Sequence, residues 1–149
     1  MRSVDKVEPA DDSLRGRVAL ITGASGGIGQ AIALALSREA TVVAIAYGNQ
    51  RQAAQNLAKQ ITDSGGRAVA FGADLGTSDG PVQLIQEVEE KLGPVEILVS
   101  NAGIGKVCKL EELSVEDFDH TLAVNLRAPF LLAQKVFGLT PLNRINEHN

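Results

Sequence analysis

The chain has 149 residues, of which 44% are hydrophobic and 21% charged, and its mean hydropathy is +0.04. This composition fits one globular domain or part of one, and it excludes collagen, coiled coil and low-complexity disorder. With 14 Lys and Arg against 18 Asp and Glu, the net charge is −4, which excludes the basic surface that a nucleic acid or an anionic membrane would need.

The chain begins with an acidic stretch. Residues 1–13 contain four acidic side chains and no apolar run, which predicts a mobile N-terminal arm rather than a signal peptide. No apolar run further along is long enough to span a bilayer. Cys108 is the only cysteine and there are two histidines, so we predict no internal disulfide, no metal site and a reducing, cytoplasmic location.

A glycine-rich turn joins the first predicted strand and helix. Residues 18–22 (VALIT) form a continuous apolar run, typical of a strand buried on both faces of a parallel sheet. Residues 27–38 follow with apolar side chains at helical spacing. This helix runs through Glu39 and Ala40 into the next strand without the usual terminal glycine, so we expect a shortened or strained turn there.

The alternation of strand and helix then repeats. Strands are predicted over 41–46, 68–71 and 95–99, and helices over 51–62 and 81–92. Ser114 is placed to cap a further helix, with Asp117 in the capping-box position. Pro129 is expected to kink that helix.

The pattern fails after Val136. Gly138 and Pro141 break the helix, and residues 142–149 are polar, with no apolar run for a fifth strand. We therefore expect a polar tail over 138–149 and a chain truncated within its fold. The exposed fourth strand would then favour self-association or a homo-oligomer.

Strands that alternate with amphipathic helices predict right-handed crossovers and a parallel sheet covered by helices on both faces. The expected fold is α/β, the first half of a Rossmann-type doubly wound sheet with strand order 3-2-1-4. This half-domain is predicted to span residues 14–137. Its glycine turn predicts a phosphate site: Gly23 for the tight turn, Gly27 for close approach of a pyrophosphate, and Gly29 for close helix packing.

Four motifs in order resemble the short-chain dehydrogenase/reductase family. They are the TGxxxGxG turn, Asp74-Leu75 after strand three, Asn101-Ala102-Gly103 after strand four, and Asn125 in Val-Asn-Leu. The segments ALITGASGGIG and VNLRAPFLLAQ are most similar to 3-oxoacyl-carrier-protein reductases and related carbonyl reductases. The resemblance implies reduction of a carbonyl compound or acyl thioester with a nicotinamide cofactor.

The resemblance also implies roles for individual residues. The ribose and pyrophosphate would be held by Gly23, Ser25, Gly27, Ile28 and Gly29, the adenine would be bordered by Asp74 and Leu75, and the nicotinamide side would be lined by Asn101, Ala102 and Gly103. Asn125 would be the family's helix asparagine, which holds a water in the proton relay. Taken singly, Asp74, Asn101 and Asn125 are better explained as polar residues satisfied within a turn or helix; their joint occurrence at the family's positions beside the glycine turn favours a cofactor cleft.

The end of strand two favours NADP(H), with NAD(H) as the alternative. An acidic residue about 20 positions after the glycine turn would bind the ribose 2′-hydroxyl and repel a 2′-phosphate, and none occurs at residues 46–49. Tyr47 lies at the adenosine end, and Arg51 either pairs with the phosphate or is a solvated helix residue. The arginine often found in the family's glycine turn is Gly26 here.

The family's catalytic residues have no counterpart in this sequence. Carbonyl reduction in the family requires a Ser, a Tyr and a Lys four residues after the Tyr, all beyond strand four. Here the only tyrosine is Tyr47, no serine follows Ser114 and no lysine follows Lys135. We therefore expect cofactor binding without turnover; the alternative is a non-catalytic nucleotide-binding or interaction half-domain. The histidines, His120 and His148, are predicted to be surface residues.

Overall fold

The computed structural model describes residues 12–138. Four strands lie within them: β1 (Val18–Thr22), β2 (Val42–Tyr47), β3 (Arg67–Gly72) and β4 (Val95–Val99). The helices are α1 (Gly27–Arg38), α2 (Arg51–Asp63), α3 (Gly80–Leu92), α4 (Val115–Leu122) and α5 (Ala128–Gly138), with 3₁₀ turns at Asp12–Leu14 and Leu110–Glu112 and a π-helical turn at Ala123–Arg127. The expected mobile arm and polar tail fall on residues 1–11 and 139–149, outside the described residues.

The strands form one parallel sheet in the order β3-β2-β1-β4. Val18, the first residue of β1, pairs with the first residues of both neighbours, Val42 and Val95. The predicted α/β fold with strand order 3-2-1-4 is therefore confirmed. Because the strands are parallel and aligned, their carboxyl ends meet at one edge of the sheet.

The two central strands are buried on both faces, as their continuous apolar sequences predict. On one face Leu20 and Ala44 pack with Ile85 of α3 and Leu132 of α5. On the other, a second cluster joins the sheet to α1 and α2, and contains Ile21, Val43, Ile45, Ala33, Leu57 and Ile61. Full burial of each large aliphatic side chain stabilises the fold by about 1.5–3 kcal/mol.

Strand β3 is longer than its apolar run predicts. It pairs with β2 along its whole length, from Val42 opposite Arg67 to Tyr47 opposite Gly72. Backbone pairing with a neighbour therefore extends the strand beyond its apolar residues. The pairing also places Tyr47 and Gly72 side by side at the carboxyl edge.

The turn after α1 is strained rather than shortened. Ala40 has a φ of 57°, in the left-handed region that costs a non-glycine residue about 1–2 kcal/mol. Its amide donates to the carbonyl of Ser37 at 3.2 Å, and that of Thr41 donates to Leu36 at 3.3 Å. These bonds close the helix with the geometry that a glycine would ordinarily supply.

The segment from α4 to α5 is helical throughout but changes its winding. Ser114 caps α4 as predicted, since its hydroxyl accepts from the amide of Asp117 at 3.1 Å. The kink expected at Pro129 stays a prediction; the structure shows a π-helical turn over Ala123–Arg127, just before this proline. In an α-helix the ring of Pro129 would collide with the carbonyl of Asn125, and the wider π turn precedes it.

Candidate functional site

A cleft of about 720 Å³ opens at the carboxyl edge of the sheet. Every strand contributes to it through the residues at or just after its end, and α4 and the π turn contribute His120 and Val124. The other lining residues are Gly23, Ser25, residues 46–50, residues 72–76 and residues 102–104. Ligands of open α/β sheets bind at this kind of edge.

The glycines of the turn after β1 have different environments. Gly23 has a φ of 64°, and a β-carbon there would lie 2.8 Å from the Cα of Ala102. A β-carbon on Gly29 would lie 2.6 Å from the carbonyl oxygen of Gly23, whereas one on Gly27 would meet nothing within 4 Å. Gly23 and Gly29 are therefore needed for packing, and Gly27 leaves open space above the start of α1.

The start of α1 has free amide donors. No side chain caps the helix at Gly26, and the amide of Gln30 donates to the carbonyl of Gly26 at 2.8 Å as the first bond of the helix. The preceding amides have no acceptor within the helix. Together with the positive end of the helix dipole, these donors suit a pyrophosphate. Ile28 is 74% exposed at this end.

Thr22 and Asn101 fasten the ends of β1 and β4 together. The Thr22 hydroxyl accepts from the amides of Asn101 and Ala102, each at 3.1 Å. The Asn101 side chain in turn donates from Nδ2 to the carbonyls of Thr22 and Gly23, each at 3.1 Å. Asn101 therefore does not line the cleft, while Ala102 and Gly103 do. The role of Thr22 was missed from sequence, although a polar residue ending an apolar strand is a recognisable signal.

Asn125 holds the loop that follows β4. Its Oδ1 accepts from the amide of Ile104 at 2.8 Å, and its Nδ2 donates to the carbonyl of the same residue at 2.7 Å. Both ends of the side-chain amide are thus engaged with one backbone residue. Asn125 positions Ile104, which lines the cleft, and its water-holding role stays a prediction.

The turn after β3 is held from two sides. Asp74 accepts from the amide of Gly76 through Oδ1 at 2.9 Å, and Arg127 donates from Nη2 to the carbonyl of Gly76 at 2.6 Å. Asp74 and Leu75 both line the cleft.

His120 is exposed, as predicted, and it also lines the cleft, a position that was not predicted from the sequence. The available signal was its position four residues before Val124, on the same helix face.

The end of β2 forms the opposite wall. Tyr47, Gly48, Asn49 and Gln50 line it, and a β-carbon on Gly72 would lie 3.2 Å from the Tyr47 hydroxyl oxygen. Arg51 is exposed and outside the lining, as are Gly27, Ile28 and Gly29. Among the lining residues Asp74 carries the only carboxylate.

A charged pair lies outside this cleft. Lys106 Nζ approaches Asp117 Oδ2 at 2.6 Å. The Lys106 ammonium, and secondarily the Ser114 hydroxyl, lowers the pKa of Asp117, and the hydrogen bond to Asp117 raises the pKa of Lys106.

Within residues 12–138 no cluster of three or more His, Cys, Asp or Glu side chains could hold a metal ion. None of the helices described there is both long and apolar enough to cross a bilayer.

Solved structures with similar folds contain nicotinamide cofactors. One is a blue fluorescent protein from a metagenomic library in complex with NADPH, with a TM-score of 0.81 and 35% identity over 86% of this chain and 53% of that one. Another is a short chain dehydrogenase from Burkholderia cenocepacia in complex with NADP, with a TM-score of 0.80 and 38% identity over 84% and 51%.

Sequence comparison gives the family. The chain is 36% identical to versicolorin reductase of Emericella nidulans and 42% identical to a hydroxynaphthalene reductase of Aspergillus fumigatus, over 83% of its own length. It spans about half of these relatives, covering 47% and 45% of them. Residues 17–141 match the family model described as short chain dehydrogenase. The chain therefore belongs to the short-chain dehydrogenase family.

Proposed function

We propose that this chain binds NADP(H) in the cleft at the carboxyl edge of the sheet. The observation that carries the proposal is the open start of α1, where Gly27 leaves space and the first amides lack acceptors. The wall formed by residues 46–50 has no carboxylate that would repel a 2′-phosphate. The NADPH and NADP complexes of similar solved structures support the same cofactor.

The residues present fit the cofactor in four places. The turn from Gly23 to Gly29, with Ser25, would hold the pyrophosphate and its ribose. The adenine would lie near Asp74 and Leu75, and the 2′-phosphate near Tyr47, with Arg51 within reach by side-chain movement. Ala102 and Gly103 would line the nicotinamide side. The cofactor, when bound, supplies a hydride donor or acceptor.

For the whole protein we propose reduction of a carbonyl group. The relatives named above are a versicolorin reductase and a hydroxynaphthalene reductase, and a 3-oxoacyl thioester stays a prediction from motif wording. Residues 1–149 alone are expected to bind cofactor without turnover, because general acid catalysis contributes about 10²–10⁴-fold and the sequence holds no second tyrosine. A single cysteine fits a reducing, cytoplasmic location.

Calorimetric titration with NADPH and NADH tests the proposal. Gly27→Asp places a negative charge in the open space above α1 without a clash, so it is expected to weaken NADPH binding at least tenfold. Gln60→Asp adds the same charge on an exposed position of α2 and serves as the control. Arg51→Ala is expected to reduce the preference for NADPH over NADH. Unchanged NADPH affinity in Gly27→Asp would refute binding at this turn.

The alternative is an interaction half-domain, and one observation favours it. A groove on the α4–α5 segment shares no lining residue with the cleft; its apolar side chains are Leu122, Leu126 and Phe130, and Asp119, Ala123 and Arg127 also line it. Such a surface is typical of a protein contact. Under this alternative the chain associates with another polypeptide and the Gly27→Asp variant behaves as the original chain does.

A further inference from the structure

His120 has an unusual place in the cleft. It is the only lining residue whose side chain comes from α4. It is exposed, and within residues 12–138 neither nitrogen of its imidazole has a hydrogen-bond partner. His120 therefore adds to the cleft an aromatic ring with two free polar atoms, at the end where Asp74 and Leu75 also lie.

The imidazole is seated on the turn after β3. A β-carbon built on Gly76 would lie 2.6 Å from Cε1 and 2.9 Å from Nδ1 of His120, and 3.1 Å from Oδ1 of Asp74. The ring edge and the carboxylate thus converge on the same point, and only a glycine leaves room for the ring there. Arg127 fixes this turn by its bond to the Gly76 carbonyl.

This arrangement gives the two ring nitrogens different surroundings. Nδ1 and Cε1 form the ring edge that packs against Gly76, and one tautomer of a neutral imidazole carries its proton on Nδ1. In that tautomer Nε2 is a hydrogen-bond acceptor. A nucleotide base bound in the cleft would therefore face a hydrogen-bond acceptor on the imidazole. The exocyclic amino group of adenine is a matching donor.

We propose that His120 selects adenine as the base of the bound nucleotide, with Nε2 accepting a hydrogen bond from the 6-amino group. This inference rests on the proposed function, because it assumes that a nucleotide occupies the cleft. Hypoxanthine carries an oxygen in place of the 6-amino group. This oxygen is a hydrogen-bond acceptor, so it cannot bond to Nε2, which is also an acceptor in this tautomer. A net hydrogen bond of about 1 kcal/mol corresponds to about fivefold in affinity.

The probes are adenosine 2′,5′-bisphosphate and its inosine counterpart, titrated calorimetrically into the 149-residue chain. The original chain is expected to prefer the adenosine compound about fivefold. His120→Ala is expected to reduce this preference, and His120→Gln to keep more of it, since its side-chain oxygen also accepts. Asp119→Ala, an exposed change on the same helix outside the cleft lining, is the control and keeps the full preference.

A second variant acts through packing. Gly76→Ala is expected to push the imidazole off the turn and to reduce the preference as His120→Ala does, and the double variant is expected to add nothing further. An equal affinity of the original chain for both probes, or a full preference in His120→Ala, overturns the inference. Selective binding of the adenosine probe without any binding of NADPH overturns the proposed function alone, and binding of neither overturns both.

Discussion

Two buried threonines differ in what their hydroxyl groups contact. Thr22 and Thr41 are each 1% exposed. The hydroxyl of Thr22 accepts from two backbone amides, whereas Oγ1 of Thr41 has no partner in the part of the chain that the structure describes. A buried polar group without a partner costs about 1–3 kcal/mol, so the same substitution at these positions has opposite effects.

Thr41→Val is expected to raise the free energy of unfolding by about 1 kcal/mol, because it removes an unsatisfied hydroxyl and keeps the shape of the side chain. Thr22→Val is the matched variant and is expected to lower it by about 1–3 kcal/mol, because it leaves the amides of Asn101 and Ala102 without their acceptor. Urea denaturation measures both. A loss of stability in Thr41→Val would show that its hydroxyl has a partner.

Sequence predicts a residue's role best where the determinants are local. The tight turn at Gly23 and the close packing at Gly29 follow from spacing within eight residues. The orientation of Asn101 does not, because its partners Thr22 and Gly23 lie 79 and 78 residues away. His120 was predicted at the surface from the lack of a motif, and its place in the cleft depends on a turn from a different strand.

At the scale of elements, the π turn connects the helices to the cleft. It lies between α4 and α5 and presents Asn125 to the backbone of Ile104. π-Helical turns occur frequently at functional sites. The loop after β4 is thereby held at Ile104 by the π turn, in addition to the bonds that Thr22 of β1 accepts from Asn101 and Ala102.

Asn125→Ala is expected to raise the exchange rate of the Ile104 amide about tenfold, because that amide loses its acceptor. Asn125→Asp is expected to retain most of the protection, since a carboxylate oxygen can still accept from it. Hydrogen exchange followed by NMR measures both, and Thr121→Ala, which alters a bond within α4 only, is the control. Unchanged exchange in Asn125→Ala would mean that the loop is held by other contacts.

Helix and strand positions were predicted within about one residue because each has its own apolar periodicity and terminators. The π turn was not predicted, although Pro129 signalled an irregularity. A proline within a helix indicates that one backbone hydrogen bond is missing. How the helix winds around that missing bond depends on tertiary contacts, such as the one between Asn125 and Ile104.

At the scale of the whole molecule, two surfaces lack cover within the described residues. β4 is an edge strand of the sheet, and Glu96 is its only charged residue. The α4–α5 segment exposes Leu126, Phe130 and Phe137 to 65%, 61% and 71%. Unpaired edges and apolar patches both favour association with another chain.

We expect the chain to self-associate at tens of micromolar, as measured by size-exclusion chromatography with light scattering. Phe130→Glu is expected to weaken association if the α4–α5 groove is the contact, and association that persists in this variant would indicate the β4 edge. Val107→Glu alters a fully exposed residue outside that groove and is the control. A stable monomer of the original chain would contradict the expectation.

The bonds between Thr22 and Asn101 also bear on the order in which the molecule folds. They join the ends of β1 and β4 across 79 residues, and closing a loop costs about 0.6 kcal/mol more for each doubling of its length. The contacts from β1 to β2 close much shorter loops. The entropic cost of forming local strand–helix–strand units is therefore smaller than that of joining β1 to β4. We therefore expect the cleft wall at Ala102 to form after these units, so that nucleotide binding follows the completion of this wall.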